Sequence, residues 1–425
     1  MPPAMHVTSA DRNIGMEKYV TGGKGIGGTI RQKLEDFRVY EISSFEENPD
    51  GKYRIVEVTK ENKDTHSMIR EIARSMRVSK ERFSYAGLKD KRAITRQKMS
   101  VYGLENIPEI RISGVKIEQI GRSNKPMTLG GLEGNHFNVV IRDVDAKDAI
   151  NRLEMITHEI AALGGVANFF GSQRFGTRRP VTHLVGERIV KNDFEGAVMT
   201  YIAQVFENES ETAKSARDFI SKTGDFRKGL QRMPLFLEFE RAMLDYLIKN
   251  PGDWIGSFSV LSKKFRMLFV HAYQAYIFNK IVSERLKRGM PINKAVVGDM
   301  VLFRNGKFQK ATKGTLEDIN KVIGAGRAWV TAPLVGYETV LADGKQGDIE
   351  QGVLDYTDIT TKNFEVPMAR DFSSKGTRRA ILLPVEPKFE TSSDELNYGK
   401  IKVMLDFDLT KGGYATVVLR EYMKC

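Results

Sequence analysis

Apolar and polar residues alternate early in the chain. In "DFRVYEI", residues 36–42, Phe37, Val39 and Glu41 fall on one side and Arg38 and Tyr40 on the other. That two-residue period predicts a strand with one buried face. "YRIVEVTK", residues 53–60, repeats it. The period then lengthens. Met68, Ile69, Ile72, Ala73 and Met76 recur at helical spacing, with Asp64 or Thr65 placed to cap the start. "RFSYAG" predicts a strand entering a basic loop, and "KMSVYG" a strand leaving it. "VKIEQI" and "HFNVVIRDV" add two more. "DAKDAINRLEMITHEIAALGG" reads as an amphipathic helix capped by Asp145 and stopped at Gly164. Strands in hairpin-like succession mixed with helices predict an α+β arrangement over 30–163, not strict βαβ alternation.

From about residue 180 to 290 the pattern is mainly helical, strongest in "FRMLFVHAYQAYIFNKIVSERLKRG". Beyond 290, short strands return among Gly-rich turns, as in "VVGDMVLFRNGKF". The C-terminal "KIKVMLDFDLTKGGYATVVLREYM" predicts a strand, a turn, then a strand or helix. No internal repeat or low-complexity tract interrupts this order. A chain of 425 residues is long for one domain, and two is the expectation.

Composition narrows the function. Hydrophobic residues make up 41% and charged ones 28%, enough for a real core. Lys and Arg number 66 against 54 Asp and Glu, a net charge of +12. That balance suits a polyanionic partner, nucleic acid or an acidic membrane face. The one cysteine is Cys425, so a disulfide, a zinc cage or a Cys-X-X-Cys centre within the chain is excluded, and a reducing compartment is expected. The opening "MPPAMHVTSADRNIGMEKYV" has no apolar run and does not read as a signal peptide. No apolar run approaches the about 18 residues of a membrane helix. A cytoplasmic protein without membrane attachment is therefore expected.

Most motif classes fail. Gly23, Gly25 and Gly28 fit G-x-G-x-x-G, but no strand precedes them and no helix follows, so a flexible Gly-rich loop is the better reading than a dinucleotide site. His158-Glu159 begins H-E-x-x-H, but position 162 is Ala. There is no phosphate loop and no G-x-S-x-G elbow. What remains is "YAGLKDKRAITRQ", residues 85–97. There Asp90 is the sole carboxylate among Lys89, Lys91, Arg92 and Arg96, with Arg82 just before. Nearby cations favour its ionised form. Such a carboxylate can be a nucleophile, a base or an electrostatic partner, or it can be a loop ion pair.

Three further stretches accompany that loop in order: "LEDFRVYE", "GLEGNHFNVVIRDV" and "NFFGSQRFG". Together they resemble the tRNA pseudouridine synthase D family over about residues 30–176. The resemblance resumes at "AYQAYIFNKIVSERL" and "GGYATVVLRE" and is weak between about 180 and 375. It implies a cofactor-free, metal-free isomerase that converts a specific uridine of transfer RNA, typically at position 13, to pseudouridine. It also implies the pseudouridine synthase fold, α+β, with a mixed, largely antiparallel sheet flanked by helices and a large inserted α+β domain. The expected division is 1–165 and 376–425 for the catalytic domain and 166–375 for the insertion.

By the same resemblance Asp90 is the catalytic residue, and Asn135, Phe137 and Tyr414 meet the target nucleotide. Phe37, Arg31 and Lys89 complete the expected substrate-binding set. Leu34 stands where the family usually has Pro, and Arg31 where it often has Lys. Lys33 is the other candidate partner for Asp90. Transfer RNA is the expected partner, with no membrane and no metal, and a monomer is the preferred oligomeric state. The rival readings are a non-catalytic RNA-binding protein or transfer RNA folding chaperone that retains the fold, and, on the Gly-rich start alone, a nucleotide-dependent oxidoreductase.

Overall fold

A nine-stranded sheet realises the early alternation. The computed structural model of the protein describes residues 7–425. The first six residues, from which the first expected domain is counted, lie outside the described residues. The chain divides into two compact units. One joins Thr21–Val166 to Leu383–Cys425, and the other joins residues 7–20 to Ala167–Leu382.

In the first unit the strands are β1 (Thr29–Ile30), β2 (Phe37–Ile42), β3 (Tyr53–Glu61), β4 (Phe83–Tyr85), β5 (Ile94–Tyr102), β6 (Val115–Ser123), β7 (Gly134–Val144), β8 (Lys388–Ser393) and β9 (Ile401–Thr410). They lie in the order β8-β9-β7-β2-β5-β3-β6, with β1 added on β7 and β4 on β5. The β2–β5 pair is parallel, and the other pairs are antiparallel. The sheet is thus mixed and largely antiparallel.

Three helices belong to this unit: α1 (Thr65–Ser75), α2 (Ala149–Leu163) and α3 (Ala415–Met423). Asp64 caps α1 by accepting from Ser67 N at 2.8 Å. Met68, Ile69, Ile72 and Ala73 of α1 form one core with Val56, Val58, Phe83, Met99 and Val101. Helix α2 begins later than its spacing predicts. Asp145 accepts from Lys147 N at 3.0 Å, a turn two residues on, and is spent there instead of capping. Gly164 ends α2 in the left-handed region at φ 78°, as expected.

The Gly-rich start is held by close approach. A side chain at Gly25 would sit 2.2 Å from the Met423 carbonyl oxygen. Ile26 N donates to Tyr422 O at 2.8 Å and Gly27 N to Met423 O at 3.0 Å, so these glycines let the chain lie against the C-terminal segment.

The second unit is built on the helix Lys263–Lys287, capped by Ser262. Met300–Phe303 and Phe308–Lys310 are the expected short strands, and they pair as a hairpin in a four-stranded sheet. Two helices here escape the sequence pattern. Leu316–Gly324 buries only Ile319 of its hydrophobics. Gly344–Tyr356 carries three glycines, poor helix formers, and is held by burial of Ile349, Val353 and Leu354. Residues 7–20 also belong here: Asn279 Nδ2 donates to Ile14 O at 2.8 Å, Ser283 Oγ to Gly15 O at 2.7 Å, and Lys280 pairs with Glu17 at 2.6 Å.

Candidate active site

Side chains opposite each other on paired strands share a face. The register places Lys60 (β3) opposite Thr95 (β5), Thr95 beside Val39 (β2), Val39 opposite Phe137 (β7), and Phe137 opposite Phe407 (β9). In the next row Val58 faces Gln97, and Asn135 lies between Glu41 and Leu409. This one face changes character along its length. Under α1 it is apolar, with Val56, Met99 and Val101. Two to four residues on, it turns polar at Lys60, Thr95 and Gln97, all essentially buried. The loop between β4 and β5 carries Asp90 at this polar end.

Arg31 is the partner of Asp90, with Nη2 3.0 Å from Oδ2. Both side chains are partly exposed, at 25% and 34%. Lys33, the alternative, pairs with Glu395 at 3.3 Å. Arg31 has φ 62°, a left-handed conformation that costs a non-glycine residue about 1–2 kcal/mol. Two contacts hold it there. Its guanidinium carbon lies 4.1 Å from the Phe37 ring centroid, and Arg92 Nη2 donates to its carbonyl oxygen at 3.0 Å. Phe37 is 1% exposed, so the structure places it beneath the arginine.

Of the loop's cations Lys89 turns inward, while Lys91 and Arg92 stay exposed. Lys89 Nζ bonds Glu41 Oε2 at 2.7 Å, with side chains 4% and 0% exposed. Its charge is committed to that buried pair. Lys89 N donates to Thr65 Oγ1 at 3.2 Å, and Gln97 Nε2 to Gly87 O at 3.2 Å. Lys60 Nζ donates to Asp90 O and Lys63 O, each at 2.6 Å. Burial drives the Lys60 ammonium down to about 8, against the pull of Asp90 and Asp64.

Asn135 Oδ1, Thr95 Oγ1 and Gln97 Oε1 are buried without a hydrogen-bond partner. Unpaired buried polar atoms are uncommon, and these three lie on one sheet face. Phe137 is 8% exposed, its ring 5.5 Å from Phe407 and stacked, and 6.3 Å from Phe37 edge-on. Tyr414 is half-buried at the start of α3, four residues past Thr410, which pairs with Gly134. Motifs from both ends of the chain therefore meet on β7. Lys60 and Phe407 were not singled out in the sequence, though both were visible as strand positions on a buried face: Lys60 follows Val56 and Val58 at the same parity.

A cavity of about 600 Å³ in this unit is lined by Phe407 and Leu409 together with His136, Asp406, Asp408, Glu133, Glu386 and Lys388. Four carboxylates against one lysine give it an acidic lining, whereas the Asp90 loop is basic.

Sheet, loop and face together define an α+β protein with a carboxylate–arginine pair at one end of a mixed sheet. The tRNA pseudouridine synthase D (TruD) family profile matches residues 13–422. A Methanococcoides burtonii protein named "Probable tRNA pseudouridine synthase D" is 45% identical over 99% of this chain and 98% of its own length. A Halobacterium salinarum protein of the same name is 38% identical over 97% of each. A crystal structure of a Methanosarcina mazei chain assigned as tRNA pseudouridine synthase D (TruD) superposes with a TM-score of 0.91, at 47% identity over 99% of both chains. The chain belongs to the tRNA pseudouridine synthase D family.

Proposed function

We propose that this protein isomerises a uridine of transfer RNA, at position 13, to pseudouridine, with Asp90 as the catalytic carboxylate. The Arg31–Asp90 pair at 3.0 Å, set beside the unpaired Asn135, Thr95 and Gln97, is the observation that carries the reading. The reaction breaks the bond from N1 to the sugar C1′, turns the base, and joins C5 to C1′. A proton leaves C5 and N1 gains one. A carboxylate at the sugar either attacks C1′ or removes a ribose proton toward a glycal. Both routes start from the carboxylate that Arg31 pairs at 3.0 Å. Asn135 offers the polar edge for uracil or the 2′-OH, and the Phe137–Phe407 pair an aromatic surface for the extruded base. Tyr414 closes the set.

The unit holding Asp90 is then the catalytic part, interrupted by an inserted domain over about 166–375, and the protein works in the cytoplasm without cofactor or metal. Among the described residues no helix is long and apolar enough to cross a membrane. The binding-only alternative gives no role to a carboxylate kept among cations.

Pseudouridine-specific chemical mapping of transfer RNA, with and without the protein, tests the reading. A new mark at position 13 is expected; no new mark anywhere would end it. Arg31→Met is expected to lower single-turnover rates at least about tenfold, while Lys33→Met, which removes a half-exposed surface pair, changes them less than about twofold. Equal effects would remove Arg31 from its role. RNA affinity should fall steeply between 50 and 200 mM potassium chloride, about tenfold or more, because bound phosphates release counterions. A salt-independent affinity would contradict a basic binding surface.

A further inference from the structure

We propose that Lys60 is a positioning residue of the active site: its buried ammonium ties the Asp90 main chain to the β3–α1 turn and holds a positive charge behind the catalytic carboxylate. This rests on the reading of Asp90 as the catalytic residue.

The side chain leaves the buried face of β3 one residue from its end, where its neighbours at the same parity are Val56 and Val58. It is 0% exposed, and a lysine so placed is almost always paired. Yet no carboxylate bonds its nitrogen among the described contacts; it bonds two carbonyl oxygens, Asp90 O and Lys63 O, each at 2.6 Å. These come from segments that touch the site from different directions. Asp90 O belongs to the loop, and Lys63 O to the turn that leads into α1. A ring of chain is thereby closed around one nitrogen: β3, the turn, Lys60 itself and the loop entering β5. Asn62 N, bonded to Ala93 O at 3.3 Å, closes it a second time.

The remaining anchors fix other parts of the loop. Gln97 holds Gly87, and Thr65 and Glu41 hold Lys89. Arg31 holds the Asp90 side chain. Lys60 holds the Asp90 backbone. A carboxylate must sit within a few tenths of an ångström of its sugar target, and main-chain slack passes directly into that distance.

The charged groups facing Lys60 are Asp90 and Lys89 from the loop and Asp64 from the α1 cap. Burial lowers its proton affinity to about 8, so the cation is largely present at pH 7 and largely lost by pH 9. Loss of that cation removes positive charge from behind Asp90.

Single-turnover pseudouridine formation on saturating transfer RNA is measured from pH 6.5 to 9.5 for the wild type, Lys60→Met, Lys60→Arg and, as control, Asp90→Asn. Lys60→Met is expected to slow the step at least about tenfold with RNA affinity changed less than about twofold, and Lys60→Arg to restore most of the rate. The wild-type rate should fall as pH rises through about 8. Lys60→Arg, which keeps its charge, should lose that alkaline limb. A folded Lys60→Met with the wild-type rate overturns the proposal. So does a wild-type profile flat through pH 8, which needs no variant to fold, or the same limb surviving in Lys60→Arg, since uridine itself would then be the titrating group. An active Asp90→Asn would instead remove the catalytic reading on which the proposal stands.

Discussion

Asp90→Asn is expected to bring pseudouridine formation to background, a loss of at least about 10³-fold, while the protein folds and binds RNA. The amide has nearly the volume of the carboxylate but neither attacks nor deprotonates a sugar at useful rates. The stability cost should be small. The Arg31 pair is partly exposed, and such pairs contribute about 0–1 kcal/mol. Binding should hold or tighten, because a negative charge near phosphates is gone. The Lys60 and Lys89 anchors survive, since they reach the Asp90 carbonyl and the Lys89 side chain. Excess folded variant in a single-turnover assay separates the cases. Substantial product would leave Asp90 as a loop ion pair and nothing more.

Arg142→Met is expected to give the largest loss of stability, about 3–5 kcal/mol, because it strands buried carboxylates. Arg142 lies on β7 with its side chain 5% exposed. Its Nε is 2.8 Å from Asp36, Nη1 2.9 Å from Asp394 and Nη2 3.0 Å from Glu395. One guanidinium thus ties β7 to two segments far apart in sequence. Burial opposes its charge, but the bonds from Glu395, Asp36 and Asp394 prevail and raise its proton affinity. Burial likewise pushes the Asp394 carboxyl up, and donors from Asp143, Asn397, Leu396 and Arg142 outweigh it and hold it well below the usual range.

The pH dependence follows from that direction. A carboxyl depressed in the folded state contributes stability above its unfolded value of 3.8, and the contribution is lost as pH falls below that. Urea denaturation at pH 7 and near pH 3 should show the wild type losing part of this increment and Arg142→Met losing less. A variant as stable as the wild type at pH 7 would show that the cluster is not a pin.

How much of this was readable beforehand depended on where each contact comes from. β2, β3 and α1 were legible because their periods are local, and the cap at Asp64 is three residues from its donor. The partner of Asp90 was not. Arg31 and Lys33 are two residues apart and equivalent to any pattern. What separates them is the left-handed backbone at Arg31 and Glu395, more than 360 residues away, which takes Lys33. Lys89 looked outward for the same reason: Glu41, which draws it inside, is 48 residues distant. Residues 7–20 gave no periodic signal, because Asn279 and Ser283 order them through backbone carbonyls.

The position of β9 carries a consequence for synthesis. It fills the space between β7 and β8 and pairs with β7 from Gly134 to Val144, yet it begins 257 residues after β7 ends. At about 5–20 residues per second, the ribosome leaves that edge of β7 unpaired for roughly 13–50 s. An open edge rich in Val and Ile recruits other strands, so each nascent chain passes through a sticky interval before the sheet can close. A stop codon between residues 145 and 401 would make that interval permanent. The truncated product would hold the Asp90 loop intact and lack Phe407, and aggregation, not weak activity, should be its fate.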